Sequence, residues 1–138
     1  AHTNVAGFIR MVDTAFMYFK KNGGGHLAVI SSIAGTKGLG VAPAYSATKR
    51  FQNTYIDALE QLSHLQKLHI RFTDIRPGFV DTAMAKGEGL FWVTPVDKAV
   101  KQIKKAISKK KKVAFISKRW RYVTILFRLL PSAIYCRM

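Results

Sequence analysis

Tyr45 and Lys49 stand four residues apart at the head of a run that reads as helix. Positions i and i+4 share a helical face, so a phenol and an ammonium can point into one space. A phenol in water ionises near ~10 and is a poor base at neutral pH. A cation about 5 Å away stabilises a phenolate by roughly 3 kcal/mol at an effective dielectric of ~20. That is enough to make a phenol a usable acid or base near neutrality. A chain with this much lysine meets the spacing by chance about 40% of the time, so the pair needs company.

The company is Asn4 in "NVAG", Ser32 at the end of "HLAVISS", and "PGFVDT" from Pro77. Each has an ordinary reading of its own: a helix or cap asparagine, a strand-end serine, a Pro-Gly turn. Their order and spacing outweigh these separate readings.

The elements that would position them follow from periodicity. Val5, Ile9, Val12, Phe16 and Phe19 lie on one helical face, and "GGG" at 23–25 ends that helix. Residues 26–32 form a short apolar run, the pattern of a parallel strand buried on both faces. After the glycine-rich loop "GTKGLGVAP", Phe51, Tyr55, Ala58, Leu59, Leu62 and Leu65 mark a second helix that starts near Tyr45. "HIRFTDIRPG" reads as a strand stopped by Pro77-Gly78. Thr94 as N-cap and Pro95 at the first helical position open a third helix, with Val96, Ala99, Val100, Ile103 and Ile107 as its stripe. "KKKK" at 109–112 is a solvated turn before a last strand, "VAFIS". Helices alternating with short buried strands give an α/β fold with a parallel, Rossmann-like sheet flanked by helices.

With four motifs in order, each on the element it needs, the chain resembles the short-chain dehydrogenase/reductase family over about residues 4–117. The resemblance implies an oxidoreductase that transfers hydride between NAD or NADP and an alcohol or ketone. Tyr45 would be the proton donor or acceptor at the substrate oxygen. Lys49 would favour its phenolate and bond the nicotinamide ribose. Ser32 would hold and polarise the substrate carbonyl, with Ser31 structural. Asn4 would hold a water linking Lys49 to solvent. Pro77 and Gly78 belong to the cofactor loop, where backbone groups of Val80 and the Thr82 hydroxyl would hold the nicotinamide amide. A sugar-epimerase relative also uses Tyr-x-x-x-Lys, but the Pro-Gly-x-Val-x-Thr stretch favours the dehydrogenase branch.

The dinucleotide fold opens with a strand and a glycine-rich turn that holds the pyrophosphate at a helix N-terminus. "GTKGLG" at 35–40 follows a strand but fits the substrate side, and "NGGGH" precedes one. The reading is therefore of the catalytic half, holding the last three strands of the family's sheet, and the chain by itself is expected to be inactive. The loop 81–94, with Met84, Leu90, Phe91 and Trp92, points to an apolar substrate or a lid.

Composition bounds the partners. The 138 residues are 49% hydrophobic, enough for one domain with a real core. Their net charge is +16, and from Lys98 onward there are thirteen Lys and Arg and no acid. Such a balance favours an anionic partner, so the rival reading is a non-enzymatic basic module binding anionic lipid or nucleic acid. Nucleic-acid binding needs aromatics among basic residues, which only residues 118–138 show, so nucleic acid is not the expected partner. In that segment Trp120, Val123, Phe127, Leu130 and Ile134 share one helical face and Arg121 and Arg128 another. It is expected to be a basic amphipathic helix, separate from residues 1–117, lying on an anionic membrane surface or packed on the enzyme body or on a dimer mate. Arg128 and Pro131 interrupt it as a transmembrane span. One cysteine, Cys136, excludes an intrachain disulfide and a cysteine metal cluster and fits the cytoplasm. The four histidines show no ligand spacing, so no metal is expected. The family resemblance implies a homo-oligomer for the intact protein.

Overall fold

A computed structural model describes residues 2–82 and 92–137. A π-helical turn, Thr3–Gly7, runs directly into helix α1, Phe8–Lys21. Phe8, Val12 and Phe16 recur every four residues and form its buried stripe. The helix stops where the Asn22 amide donates back to the Tyr18 carbonyl. Gly23 and Gly24 then take positive φ angles of 81° and 132°, a region that side chains with a Cβ rarely enter.

Strand β1, Gly25–Ile30, leads through a short 3-10 turn, Ile33–Gly35, to helix α2, Pro43–Leu65. Strand β2, Ile70–Pro77, helix α3, Val96–Ser108, and strand β3, Val113–Ile116, complete the alternation. The strands pair in parallel in the order β1-β2-β3, with Leu27 opposite Phe72 and Ile75 opposite Ala114. The α/β, Rossmann-like architecture read from the pattern is the one observed. Helices α1 and α2 cover one face through Phe8, Val12, Phe16, Leu27, Ile56, Leu59, Ile70 and Phe72. Helix α3 covers the other through Ala99, against Ile75 and Ile116.

Four local expectations are corrected. Strand β1 is buried on one face only: Leu27 is buried, whereas Ala28 is exposed and Ile30 is 59% exposed. Helix α3 lies over β2 and β3 and leaves the same face of β1 open. On α2, Ala58, Leu62 and Leu65 are exposed, and the buried positions are Ser46, Thr48, Gln52, Asn53, Ile56, Leu59 and Ser63. The true inner face is one residue, about 100°, away from the apolar stripe. On α3, Val96, Val100 and Ile107 are exposed, and two alanines, Ala99 and Ala106, make the close contact. Finally, Thr94 does not cap α3. Pro95 holds the N-cap position, and the buried Thr94 hydroxyl has no hydrogen-bond partner among the described residues.

Residues 118–138 do not form one helix. Helix α4, Trp120–Leu129, and the short α5, Ser132–Tyr135, are broken apart at Leu130, which turns extended before Pro131. A residue preceding proline is pushed out of the helical region. No described helix is long and apolar enough to cross a membrane.

Candidate active site at the carboxyl ends of the strands

In an open parallel sheet, ligands bind beyond the carboxyl ends of the strands. Ser32 lies there after β1, and Pro77 and Gly78 lie there at the end of β2. Tyr45 and Lys49 enter from the first turns of α2, and Asn4 from the π-helical turn. Helix α2 is seated by its own start. Pro43 occupies the first turn, where a missing N–H costs nothing. The Ser46 hydroxyl accepts from the Leu39 amide at 3.0 Å and donates to the Pro43 carbonyl. Gly35 fits against the helix only because it lacks a Cβ, which would stand 2.8 Å from the Lys49 carbonyl carbon.

Lys49 places its ammonium 5.8 Å from the centre of the Tyr45 ring, so the pair shares one face as the spacing predicts. The same ammonium reaches the Ile30 carbonyl at 3.5 Å, two residues before Ser32. It also donates to Gln52 Oε1 at 3.1 Å. Burial lowers the pKa of Lys49 below its ordinary 10.5, and the Asp74 carboxylate opposes that shift. Tyr45 is 41% exposed, and its hydroxyl has no hydrogen-bond partner among the described residues. Ser32 Oγ accepts from the Ala34 amide at 3.1 Å. A hydroxyl so engaged still has its own proton to donate. Ser31, by contrast, turns inward to Asp74 and the Ile75 carbonyl.

Asn4 is half-buried. Its side-chain amide donates to Thr48 Oγ1 at 3.3 Å, and its carbonyl accepts from Gln52 Nε2 at 2.9 Å. Thr48 and Gln52 had no sequence signal beyond being polar on the inner side of an amphipathic helix.

The loop after β2 is tied at its base. Thr94 N–H donates to the Phe79 carbonyl and Asp81 N–H to the Thr94 carbonyl, both at 2.9 Å. In such a parallel bridge the N–H and C=O of the middle residue, Val80, point away from Thr94. Thr82 follows, exposed. Met84, Leu90 and Phe91, the apolar residues expected to meet substrate, lie outside the described residues.

Beneath the site is a polar cluster that periodicity did not reveal. Asp74 is 2% exposed in the middle of β2. One carboxylate oxygen accepts from Ser31. The other accepts from Asn53 Nδ2 at 3.0 Å and from the Arg76 guanidinium at 2.7 Å. The sequence signal was no more than an aspartate within a strand. A buried carboxylate needs such partners, and here they tie the end of β1, α2 and β2 together next to Ser32.

The C-terminal helices close the far side. Lys37 donates to the Phe127 and Leu130 carbonyls at 3.2 and 2.7 Å, where the end of α4 leaves them free. Its ammonium also lies 4.4 Å from the Tyr135 ring centre. The Tyr135 hydroxyl bonds the Gly38 carbonyl. "GTKGLG" thus grips the protein's own C-terminal segment. Trp120, 3% exposed, packs edge-on to Phe79 and to Trp92. Among the described residues no group of three His, Cys, Asp or Glu could hold a metal.

The sequence model of the short chain dehydrogenase family matches residues 1–90. The chain belongs to the short-chain dehydrogenase/reductase family. It is 29% identical over 150 aligned positions to dehydrogenase/reductase SDR family member 7B of Danio rerio, covering 99% of this chain and 48% of that protein. It is 34% identical over 83 residues to an uncharacterized oxidoreductase of Mycobacterium tuberculosis, covering 59% of this chain and 32% of that protein. The chain thus spans a third to a half of these relatives. Its fold matches a short chain dehydrogenase from Burkholderia cenocepacia in complex with NADP, with TM-score 0.80 and 18% identity over 98% of this chain and 55% of the other. It also matches a bulky-bulky ketone specific alcohol dehydrogenase from Comamonas testosteroni, with TM-score 0.67 and 19% identity over 94% and 53%. NAD or NADP is the cofactor of this family.

Proposed function

We propose that this chain forms the catalytic side of an NAD(P)-dependent dehydrogenase or reductase acting on an alcohol or ketone. The observation that carries the reading is the Tyr45–Lys49 pair, with the ammonium over the phenol ring and the phenol hydroxyl left open at the carboxyl end of β1. The residues present fit the nicotinamide end of the cofactor. Val80 directs its backbone donor and acceptor away from Thr94, and Lys49 retains a third N–H beyond those given to Gln52 and Ile30.

A bound nicotinamide would supply or take the hydride. The protein handles the oxygen. Ser32 donates a hydrogen bond to the substrate oxygen and Tyr45 passes it a proton in reduction, or takes one in oxidation. Lys49 stabilises the phenolate form and bonds the nicotinamide ribose. Val80 and the Thr82 hydroxyl hold the carboxamide, on the loop started by Pro77 and Gly78. Asn4 fixes the position of the π-helical turn against α2. An apolar substrate suits Trp92 and the exposed Val93 at the loop's edge.

The exposed apolar residues of α2, Leu62 and Leu65, support packing against a second copy. On α4, Tyr122, Ile125, Leu126 and Leu129 form an outward stripe at i, i+3, i+4 and i+7, with Arg121 and Arg128 exposed beside it. That pairing of apolar and basic groups suits an anionic membrane surface. Vesicles of phosphatidylserine should sediment the chain and vesicles of phosphatidylcholine should not; equal behaviour would remove the membrane contact.

The enzyme reading is tested in the intact protein by Tyr45→Phe, which deletes only the phenolic hydroxyl. Turnover should fall by at least ~10²-fold with folding unchanged. Near-normal turnover would show that another group carries the proton.

A further inference from the structure

We propose that Gln52 is a positioning residue of the proton-transfer site: its side-chain amide joins the Asn4 carbonyl to the Lys49 ammonium and stands where a water would otherwise link them. The inference rests on the reading of Tyr45 and Lys49 as an acid–base pair. Gln52 is 4% exposed, three residues after Lys49 and on the same side of α2. Nε2 donates to the Asn4 carbonyl at 2.9 Å, and Oε1 accepts from Lys49 Nζ at 3.1 Å. Only this orientation of the amide works, because a carbonyl can only accept and an ammonium can only donate.

The chemistry of the link decides what it does. A water between Asn4 and Lys49 could pass a proton along. A carboxamide neither gains nor loses a proton near neutrality, so it orients without conducting. The direct contact from the Asn4 carbonyl to Lys49 therefore runs through Gln52 and carries no proton. The amide also fixes the direction of the ammonium. One N–H goes to Gln52, a second faces the Ile30 carbonyl, and the third is left toward Tyr45 and the ribose. Lys49 also lines, with Asn4, Leu27, Val29 and Gln52, a groove of about 670 Å³.

The charged and titratable groups around Lys49 are Tyr45 on its own helix, Asp74 on β2 with its partner Arg76, and His26 on β1, which lines the same groove. Burial disfavours the ammonium and Asp74 favours it. The Ile30 carbonyl and the Gln52 oxygen both accept from the ammonium, and the effect of the Gln52 contact is the property to measure.

The experiment follows the Lys49 ε-carbon by NMR in the 138-residue chain labelled at lysine, with Lys49→Arg to assign the signal. Gln52→Met keeps the length of the side chain and removes the acceptor. The Lys49 midpoint should move down by about one pH unit, the effect of one hydrogen bond to a charged group. Gln52→Glu should move it up. Other lysines should not move. An unmoved Lys49 in both variants would overturn the proposal, as would equal movement of every lysine. If the methionine variant fails to fold, the isosteric glutamate variant alone decides, because an unmoved or lowered midpoint in it removes the bridge. The readout needs neither cofactor nor substrate. A failure here leaves the dehydrogenase reading standing, and an active Tyr45→Phe enzyme would sink that reading while leaving the bridge intact.

Discussion

The Trp120 indole lies against Gly78 so closely that a β-carbon on Gly78 would stand 2.1 Å from its Nε1. The first residue of α4 thereby fixes the loop that follows β2, and Phe79 and Trp92 pack edge-on to the same ring. A rigid buried indole cannot yield as a flexible side chain would. Gly78→Ala should destabilise the fold by about 2 kcal/mol, the usual cost of overpacking. Combining it with Trp120→Leu should cost less than the two changes added, because both relieve or create the same contact. Urea unfolding followed by circular dichroism checks this, and strict additivity would show that the ring moves aside freely.

Asp74 and Arg76 form a nearly dry ion pair, with side chains 3% and 12% exposed. Removing Arg76 leaves the buried Asp74 carboxylate with two neutral hydrogen-bond partners, Ser31 and Asn53. Arg76→Met should therefore cost about 3 kcal/mol or more. Asp74→Asn together with Arg76→Met should recover part of the loss, since the buried carboxylate is then gone, while Lys49 loses the charge that favoured its ammonium. A double variant no more stable than Arg76→Met would place the cost in lost packing of the arginine stem.

How much of this was legible in the sequence depends on whether a residue's role is local. Ser32, Tyr45, Lys49 and Pro77-Gly78 could be placed on their elements because strand ends and helix starts carry local signals. The inner face of α2 could not. Phe51, Tyr55, Leu62 and Leu65 keep a helical period, but Leu62 and Leu65 face outward. The inner positions are held by Gln52, Asn53 and Ser63, whose burial is made tolerable by partners on other elements: Asn4 and Lys49, Asp74, and the Leu68 carbonyl. Periodicity of apolar residues has no view of such pairings. Thr94 failed for a related reason. Its backbone is taken by Phe79 and Asp81, a contact across the loop that no capping rule encodes.

Tyr55 gives the fold an alkaline limit. Its hydroxyl donates to the Asp13 carboxylate at 2.5 Å, joining α2 to α1. Burial, then the hydrogen bond and charge of Asp13, push its pKa from 10.0 up to about 12. The fold favours the protonated phenol, so this stabilisation is complete below pH 10 and is lost as pH rises from 10 toward 12. Tyr55→Phe removes the titrating group and should flatten that part of the stability curve while lowering stability below pH 10. Chemical denaturation at intervals across the window tests it. Parallel curves for the two proteins would mean that the bond contributes nothing to the pH dependence.

The 138-residue chain by itself should bind NADH and NADPH no tighter than about 1 mM. Dinucleotides are held largely through their phosphates, which favour a helix N-terminus with free backbone N–H groups. Among the described residues no helix N-terminus follows a strand through a free glycine-rich turn, the arrangement that holds a pyrophosphate in a dinucleotide fold: α1 continues from a π-helical turn, α2 follows the loop 35–40, and α3 is preceded by Pro95. The glycine-rich loop 35–40 is occupied by the C-terminal segment through Lys37 and Gly38. What remains is the nicotinamide end: Lys49, Val80 and Thr82. Losing the pyrophosphate contacts corresponds to at least ~10³-fold in affinity, about 4 kcal/mol. Calorimetric titration with each nucleotide provides the measurement. Micromolar binding of either would mean that this chain cradles the phosphates with its own backbone, and Lys37→Ala, which loosens the loop from the tail, would then be the variant that changes the affinity.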